Sequence, residues 1–256
     1  MSALDISLIV FACVFASALL GMLFSRKLGL RNLDSDSKDV VRLGMGLVST
    51  TVAVALGLLI SSAKNFYDTQ STEVTQLAAN YILLDRVLGY YGPETTEVRS
   101  GLRDGLINLL GDDGYLQGFK KSDKSYVDIK SGASLGEDIV AKIQGLSPKD
   151  DNQRSVKAQA QSLVFQLGQT RWLIVEQNAV PIPRLLLFML IGWLIVLFLS
   201  FGIFAPHNFT VIAGMCMAAL AVCGAILLIL AMYRPQVGLI RVSDAPLRAA
   251  VQQMGR

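Results

Sequence analysis

Apolar residues are concentrated in four blocks of the chain, and each block has the length of a membrane-spanning helix. Residues 6–24, 43–63, 185–204 and 209–232 form runs of 19, 21, 20 and 24 residues without a charged side chain. A helix needs about 20 apolar residues to cross a hydrocarbon core about 30 Å thick. The pattern therefore predicts an all-α integral membrane protein with four spans, two on each side of a polar insert.

The insert, residues 64–184, repeats apolar positions at intervals of three and four, as one face of a helix requires. One helix is predicted from about Val41 to Tyr91, because neither a proline nor a run of glycines interrupts it. Gly92-Pro93 then ends it, since glycine suits a helix C-terminus and proline the first turn of the next. The predicted helices that follow are 93–110, 134–145 and one from Pro148 onwards. The predicted domains are 1–63, 64–184, 185–232 and a C-terminal tail, 233–256.

Composition and charge exclude several classes of protein. The chain is 52% hydrophobic, its charged residues make up 17%, and its net charge is +3, so nucleic acid is not an expected partner. The first apolar block is longer than the usual 7–15 residues of a signal peptide and follows Asp5 without a cation, so a retained helix is expected. With a single histidine, His207, and no catalytic signature, the sequence predicts neither an enzyme nor a metal or cofactor site.

Small and weakly polar residues share one side of the second span. At 100° per residue they fall within an arc of about 80°, and they are Gly46, Thr50, Ala53, Gly57 and Ser61. Arg42 and Lys64 lie at or near the same arc, about 33 Å apart along the axis, which matches the thickness of the hydrocarbon core. Two interpretations remain open. Small residues let membrane helices pack closely, with the cations reaching the interfaces; alternatively, several copies of this face surround a pore with cationic mouths.

Charged residues also gather at the predicted corner after the second helix. The candidates for a structural clamp across this turn are Asp85, Arg86, Gly92, Pro93, Glu94 and Arg99. Opposite charges this close in sequence to a sharp turn are expected to pair across it. A structural role is therefore favoured over a ligand site.

Five stretches carry a resemblance to a known family: LGLLISSAK (56–64), LDRVLGYYGPE (84–94), RW (171–172), FGIFAPHNF (201–209) and RPQVGLIRVSDAPL (234–247). Together they resemble the bacterial bestrophin-like membrane proteins, which are distantly similar to bestrophin anion channels. The resemblance implies a pentamer, a pore lined by the second span and a cytoplasmic helical insert. Two departures stand out. The bulky neck of bestrophins is replaced here by small residues, and the acidic calcium clasp by a basic tail with Arg234, Arg241, Arg248 and Arg256, so calcium gating is not expected.

These observations together predict a homo-oligomeric channel of the bacterial inner membrane that is permeable to anions such as chloride. In this prediction Arg42 and Lys64 attract anions to the two mouths, and Thr50 and Ser61 offer hydrogen-bond donors between them. Cations flank the two pairs of spans on opposite sides; the second pair and the resemblance favour a cytoplasmic insert and cytoplasmic termini. The alternative is a non-conducting interaction or signalling protein, whose stripe packs helices and whose insert binds a soluble partner.

Overall fold

The computed structural model describes residues 2–28, 35–111, 136–178, 184–206, 208–233 and 240–254, with the side chains at 26–28, 35, 37–38, 175–178 and 184 left out. Throughout these ranges the regular structure is helical and no strand occurs, which confirms the all-α prediction. The helices are α1 (Ala3–Leu28), α2 (Ser35–Tyr91), a 3-10 turn (Pro93–Thr95), α3 (Thr96–Leu110), α4 (136–144), α5 (Asp151–Asn178), α6 (Arg184–Phe204), α7 (Phe209–Met232) and α8 (Ala245–Gln253).

Four of these helices, α1, α2, α6 and α7, are long and apolar enough to cross a membrane. The chain is therefore a multi-pass membrane protein that associates with a lipid bilayer. The second of these helices has 57 residues, about 85 Å at 1.5 Å per residue. It begins six residues before the predicted start and ends at Tyr91, as the Gly92-Pro93 signal predicts. Gly92 has φ 132°, a conformation open to glycine and disfavoured for other residues.

The described chain divides into two compact units, and α2 contributes residues to both. The first unit consists of Met1–Phe66 and Pro181–Ile240. Its core holds fully buried side chains from α1, α6 and α7, among them Val14, Leu190 and Ile226. Each of these spans therefore buries one apolar side against the others, and the rest of its surface stays exposed.

Helices α1 and α6 make their closest approach at two glycines. A Cβ atom at Gly21 would overlap the carbonyl oxygen of Leu199, and one at Gly202 would overlap that of Ala18. The contact is reciprocal and formed by backbone atoms, so neither site has a flexible side chain that could move aside. Close backbone approach through small residues is the usual way in which membrane helices gain packing energy.

The second unit consists of Tyr67–Val180 and Arg241–Arg256. Leucines and isoleucines from α2, α3, α4 and α5 form its core, including Leu84, Leu106 and Ile174. The sequence-based division placed 233–256 in a separate tail, whereas Leu247 and Ala250 of α8 are fully buried in this core. The apolar side of α8 therefore closes the core of the insert.

Candidate functional site

The small-residue stripe lies on the side of α2 that the first unit leaves uncovered. Gly46, Thr50, Ala53, Gly57 and Ser61 are all exposed. A Cβ at Gly46 or Gly57 would meet no atom within 4 Å, so these glycines do not serve packing within the chain. In the most apolar 18-residue stretch of α2, only 11% of the residues are buried, against 28% to 39% in the corresponding stretches of the other three spans. The stripe is thus available to another molecule or to solvent.

The opposite side of α2 attaches the helix to its own unit. Val52, Leu59 and Ala63 are buried in the core that α1, α6 and α7 share. On a helix these residues recur at intervals of seven and four, so they form one face. The structure therefore orients α2 so that its small-residue stripe points away from the other spans of the same chain.

Bulky apolar side chains run beside the stripe on the same uncovered side. Their exposures range from 63% to 76%, and they are Leu43, Leu47, Val54 and Leu58. An exposed apolar strip of this size needs either lipid or another protein surface to cover it. The uncovered side of α2 thus has two parts, one small and weakly polar and the other large and apolar. The pattern of small residues in the sequence indicated only the first part.

The hydroxyl of Thr50 is engaged with its own helix. Its Oγ1 donates to the carbonyl oxygen of Leu47 at 2.8 Å, and Thr51 Oγ1 donates to the same oxygen at 2.9 Å. A threonine has one hydroxyl proton, so Thr50 presents lone pairs to the uncovered side while this bond persists. In this conformation Thr50 therefore has no hydroxyl proton left to donate to an anion, which differs from the role expected from the sequence. Ser61 is exposed near the other end of the stripe.

The two cations of the stripe are both exposed. Arg42 Nη1 lies 3.5 Å from Asp39 Oδ1, and both side chains are about two-thirds exposed, at 67% and 68%. Lys64 is exposed on the last turns of the span. Two residues later, Phe66 packs its ring against Tyr233, with centroids 5.4 Å apart, and the Tyr233 hydroxyl lies 2.9 Å from Ser62 Oγ. These contacts hold the end of the span to α7, as an aromatic at a membrane interface is suited to do.

The corner after α2 contains the buried ion pair of the second unit. Arg99 donates to Asp85 through Nε at 2.8 Å and through Nη2 at 2.9 Å, and the Asp85 side chain is only 4% exposed. The hydrogen bond to the Asp85 carboxylate raises the pKa of the Arg99 guanidinium. Two parallel bonds to a carboxylate fix both position and orientation. Arg86, by contrast, is exposed and takes no part in this pair.

Residues that start α5 brace the turn at Gly92 and Pro93. Lys149 Nζ contacts Glu94 Oε1 at 2.6 Å, and Gln153 Nε2 donates to the carbonyl oxygen of Tyr91 at 3.0 Å. The hydrogen bond from Lys149 lowers the pKa of Glu94. Local sequence patterns could not reveal these partners, because they lie more than 50 residues from the turn. The corner is therefore a structural joint between α2, α3 and α5.

No metal centre is formed by the part of the chain that the structure describes: no three His, Cys, Asp or Glu side chains lie together there. In the C-terminal region, Arg248 pairs with Asp244 at 3.0 Å, and Arg241 is exposed. Arg234, Arg256 and His207 lie outside the described residues.

A family model described as a bestrophin-like domain matches residues 12–247. The match includes α1 from residue 12 onwards, the other three apolar helices and the whole insert, and it confirms the resemblance drawn from the five sequence stretches. No curated protein and no solved structure matches the chain.

Proposed function

The chain belongs to the bestrophin-like family, and we propose that it assembles into an oligomeric, anion-permeable channel whose pore is lined by α2. One observation carries this proposal. The stripe from Gly46 to Ser61 lies on the side of α2 opposite the residues that attach it to the other three spans. Such a helix fits a ring in which each copy supplies one lining helix and keeps its remaining spans outside.

The two parts of the uncovered side suit two roles in such a ring. Small residues at the axis leave space for a hydrated anion, and the Ser61 hydroxyl can donate a hydrogen bond in place of part of its hydration. The bulky strip beside them, with Leu47, Val54 and Leu58, has the apolar surface that a neighbouring copy would cover. The family resemblance implies five copies in the ring, a bacterial inner-membrane location and a cytoplasmic insert.

Anion permeation rests on the cations at the ends of the stripe. Arg42 and Lys64 are both exposed and are 22 residues apart, about 33 Å along the helix. A cation at a pore mouth raises the local concentration of anions, and the effect is strongest where low-dielectric walls focus the field. Between the mouths, Ser61 supplies a hydroxyl that donates to a passing anion.

A second candidate function has an observation of its own. Phe165 and Trp172 are seven residues apart on α5, hence on one face, and they are 70% and 61% exposed. Large exposed aromatic residues are typical of protein interfaces. We infer as the alternative a non-conducting interaction protein whose insert binds a soluble partner through this face.

Ion flux in proteoliposomes separates the two functions. We expect the purified protein to carry chloride down an imposed gradient above the rate of empty vesicles. Gly57→Leu should reduce this flux at least about tenfold, because a leucine fills the space at the axis. The matched control is Gly192→Leu on α6, where an added Cβ also meets no atom within 4 Å. An absence of flux from folded, inserted protein would contradict the channel and favour the interaction protein.

A further inference from the structure

The cation at one end of the stripe is accompanied by a carboxylate. Arg42 and Asp39 are three residues apart, so they lie on neighbouring positions of one helix face, and their charged atoms are 3.5 Å apart. Both residues are on the uncovered side, and Gly46 follows Arg42 by about one turn. In the assembled protein Asp39 therefore lies in the same environment as Arg42.

The pairing removes most of the field that Arg42 would produce alone. Two opposite unit charges a few ångströms apart act as a dipole, whose field falls off faster than that of a single charge. Salt screens what remains within about 8 Å at physiological ionic strength. The cancellation does not require a strong ion pair, because the helix keeps the two groups close whichever rotamers they adopt. In a symmetric ring each copy adds one positive and one negative charge, so these two residues contribute no net charge.

Other groups at this end of α2 do not restore a positive mouth. Residues 36–42 at this end of α2 hold two carboxylates, Asp36 and Asp39, and two cations, Lys38 and Arg42, so the charges in this stretch sum to zero. Further in, the Thr50 hydroxyl proton is donated to the Leu47 carbonyl, so that side chain presents lone pairs, which suit a cation better than an anion.

We propose that Asp39 is a specificity-determining residue of this pore: by offsetting Arg42 on the uncovered face of α2, it limits the preference for anions at that mouth. The inference rests on the proposed function. It implies that the wild-type channel prefers anions over cations less strongly than a channel without the Asp39 carboxylate would.

Reversal potentials in a potassium chloride gradient test the inference. We expect Asp39→Asn to raise the ratio of chloride to potassium permeability by about fourfold or more, the effect of one unit charge per chain at roughly 5 Å in water. Arg42→Gln should lower the ratio by a similar factor. The double variant, Asp39→Asn with Arg42→Gln, removes both charges and should return the ratio to within about twofold of the wild type.

Asp104→Asn is the matched control, because it removes one exposed carboxylate from α3 rather than from α2. Its ratio should equal that of the wild type. A conducting Asp39→Asn channel with an unchanged ratio would overturn the inference and leave the channel standing. An Asp104→Asn shift as large as that of Asp39→Asn would also overturn it, since the effect would then be one of total charge. No flux from any variant, the wild type included, would overturn the proposed function and the inference together.

Discussion

Two pairs of glycines in the membrane helices have opposite surroundings. Gly21 and Gly202 lie where α1 and α6 cross, and a methyl group at either would overlap a backbone carbonyl. Gly46 and Gly57 on α2 meet no atom within 4 Å. The first pair allows two helices of one chain to pack closely, whereas the second pair can only provide space for a molecule or ion outside the chain. The comparison separates the surface that builds one subunit from the surface that is left for assembly or for ions.

The largest expected effect is at the crossing of α1 and α6. Gly21→Leu and Gly202→Val each force backbone atoms apart, and overpacking of this kind costs about 3 kcal/mol or more when no side chain can move. We expect loss of folded protein, or a thermal midpoint in detergent lowered by many degrees. Gly192→Leu on the open side of α6 is the control. A stable Gly21→Leu protein would contradict the close crossing.

Two of the arginine–aspartate pairs, Arg99–Asp85 and Arg42–Asp39, extend the comparison to charged residues. Arg99→Leu removes two guanidinium hydrogen bonds from the Asp85 carboxylate, which is 4% exposed, and we expect the free energy of unfolding to fall by about 3 kcal/mol. Arg42→Leu breaks an exposed pair, and we expect a change within about 0.5 kcal/mol. Chemical unfolding of the two variants under the same conditions measures the difference. Equal losses of unfolding free energy in the two variants would contradict the burial of the Arg99–Asp85 pair.

The glycines of the stripe should affect function without affecting stability. An added Cβ at Gly57 meets no atom within 4 Å, and leucine is the better helix former, so we expect the free energy of unfolding of Gly57→Leu to be no more than about 0.5 kcal/mol below that of the wild type. Flux should nevertheless fall, as described above. A large loss of stability together with loss of flux would indicate instead that Gly57 packs against a neighbouring helix.

The smallest effect concerns pH and the exposed pair at the turn. The hydrogen bond from Lys149 lowers the pKa of Glu94 below its ordinary value of 4.5, so the pair stabilises the fold above that pH and the contribution is lost as pH falls through the lowered pKa. We expect Glu94→Gln to have a slightly lower thermal midpoint than the wild type at pH 7. At pH 3 the two midpoints should approach each other. A gap between the two thermal midpoints that widens as the pH falls would contradict stabilisation by the ionised Glu94.

Local patterns predicted the elements of the fold well, and long-range contacts were beyond them. Runs without charge defined the four spans, and Gly92-Pro93 defined the end of α2 because both residues act on their own backbone. Asp85 and Arg86 looked equivalent in the sequence, yet neighbours on a helix point about 100° apart, so only one of them could face α3. The sequence held the signal for this difference in its helical periodicity.

Other contacts had no such signal. The crossing of Gly21 and Gly202 joins residues 181 positions apart in the chain, and nothing in the sequence pairs one glycine with another. The sequence-based division treats 233–256 as a tail after the last span, although Leu247, Ala250 and Met254 follow the spacing of a buried helix face. Helical periodicity identified the stripe on α2, but only the structure showed that the stripe is exposed.

Water access along α2 tests most directly whether the uncovered stripe lines a pore. Single cysteines would be placed at Ala53, Gly57 and Ser61, and at Leu47, Val54 and Leu58, in a chain whose native cysteines are replaced by alanine. A charged, water-soluble thiol reagent should modify the first three positions in vesicles and reduce flux, and it should leave the bulky strip unmodified. Protection of all three stripe positions, or modification of the bulky strip alone, would contradict the pore and identify the stripe as a packing surface.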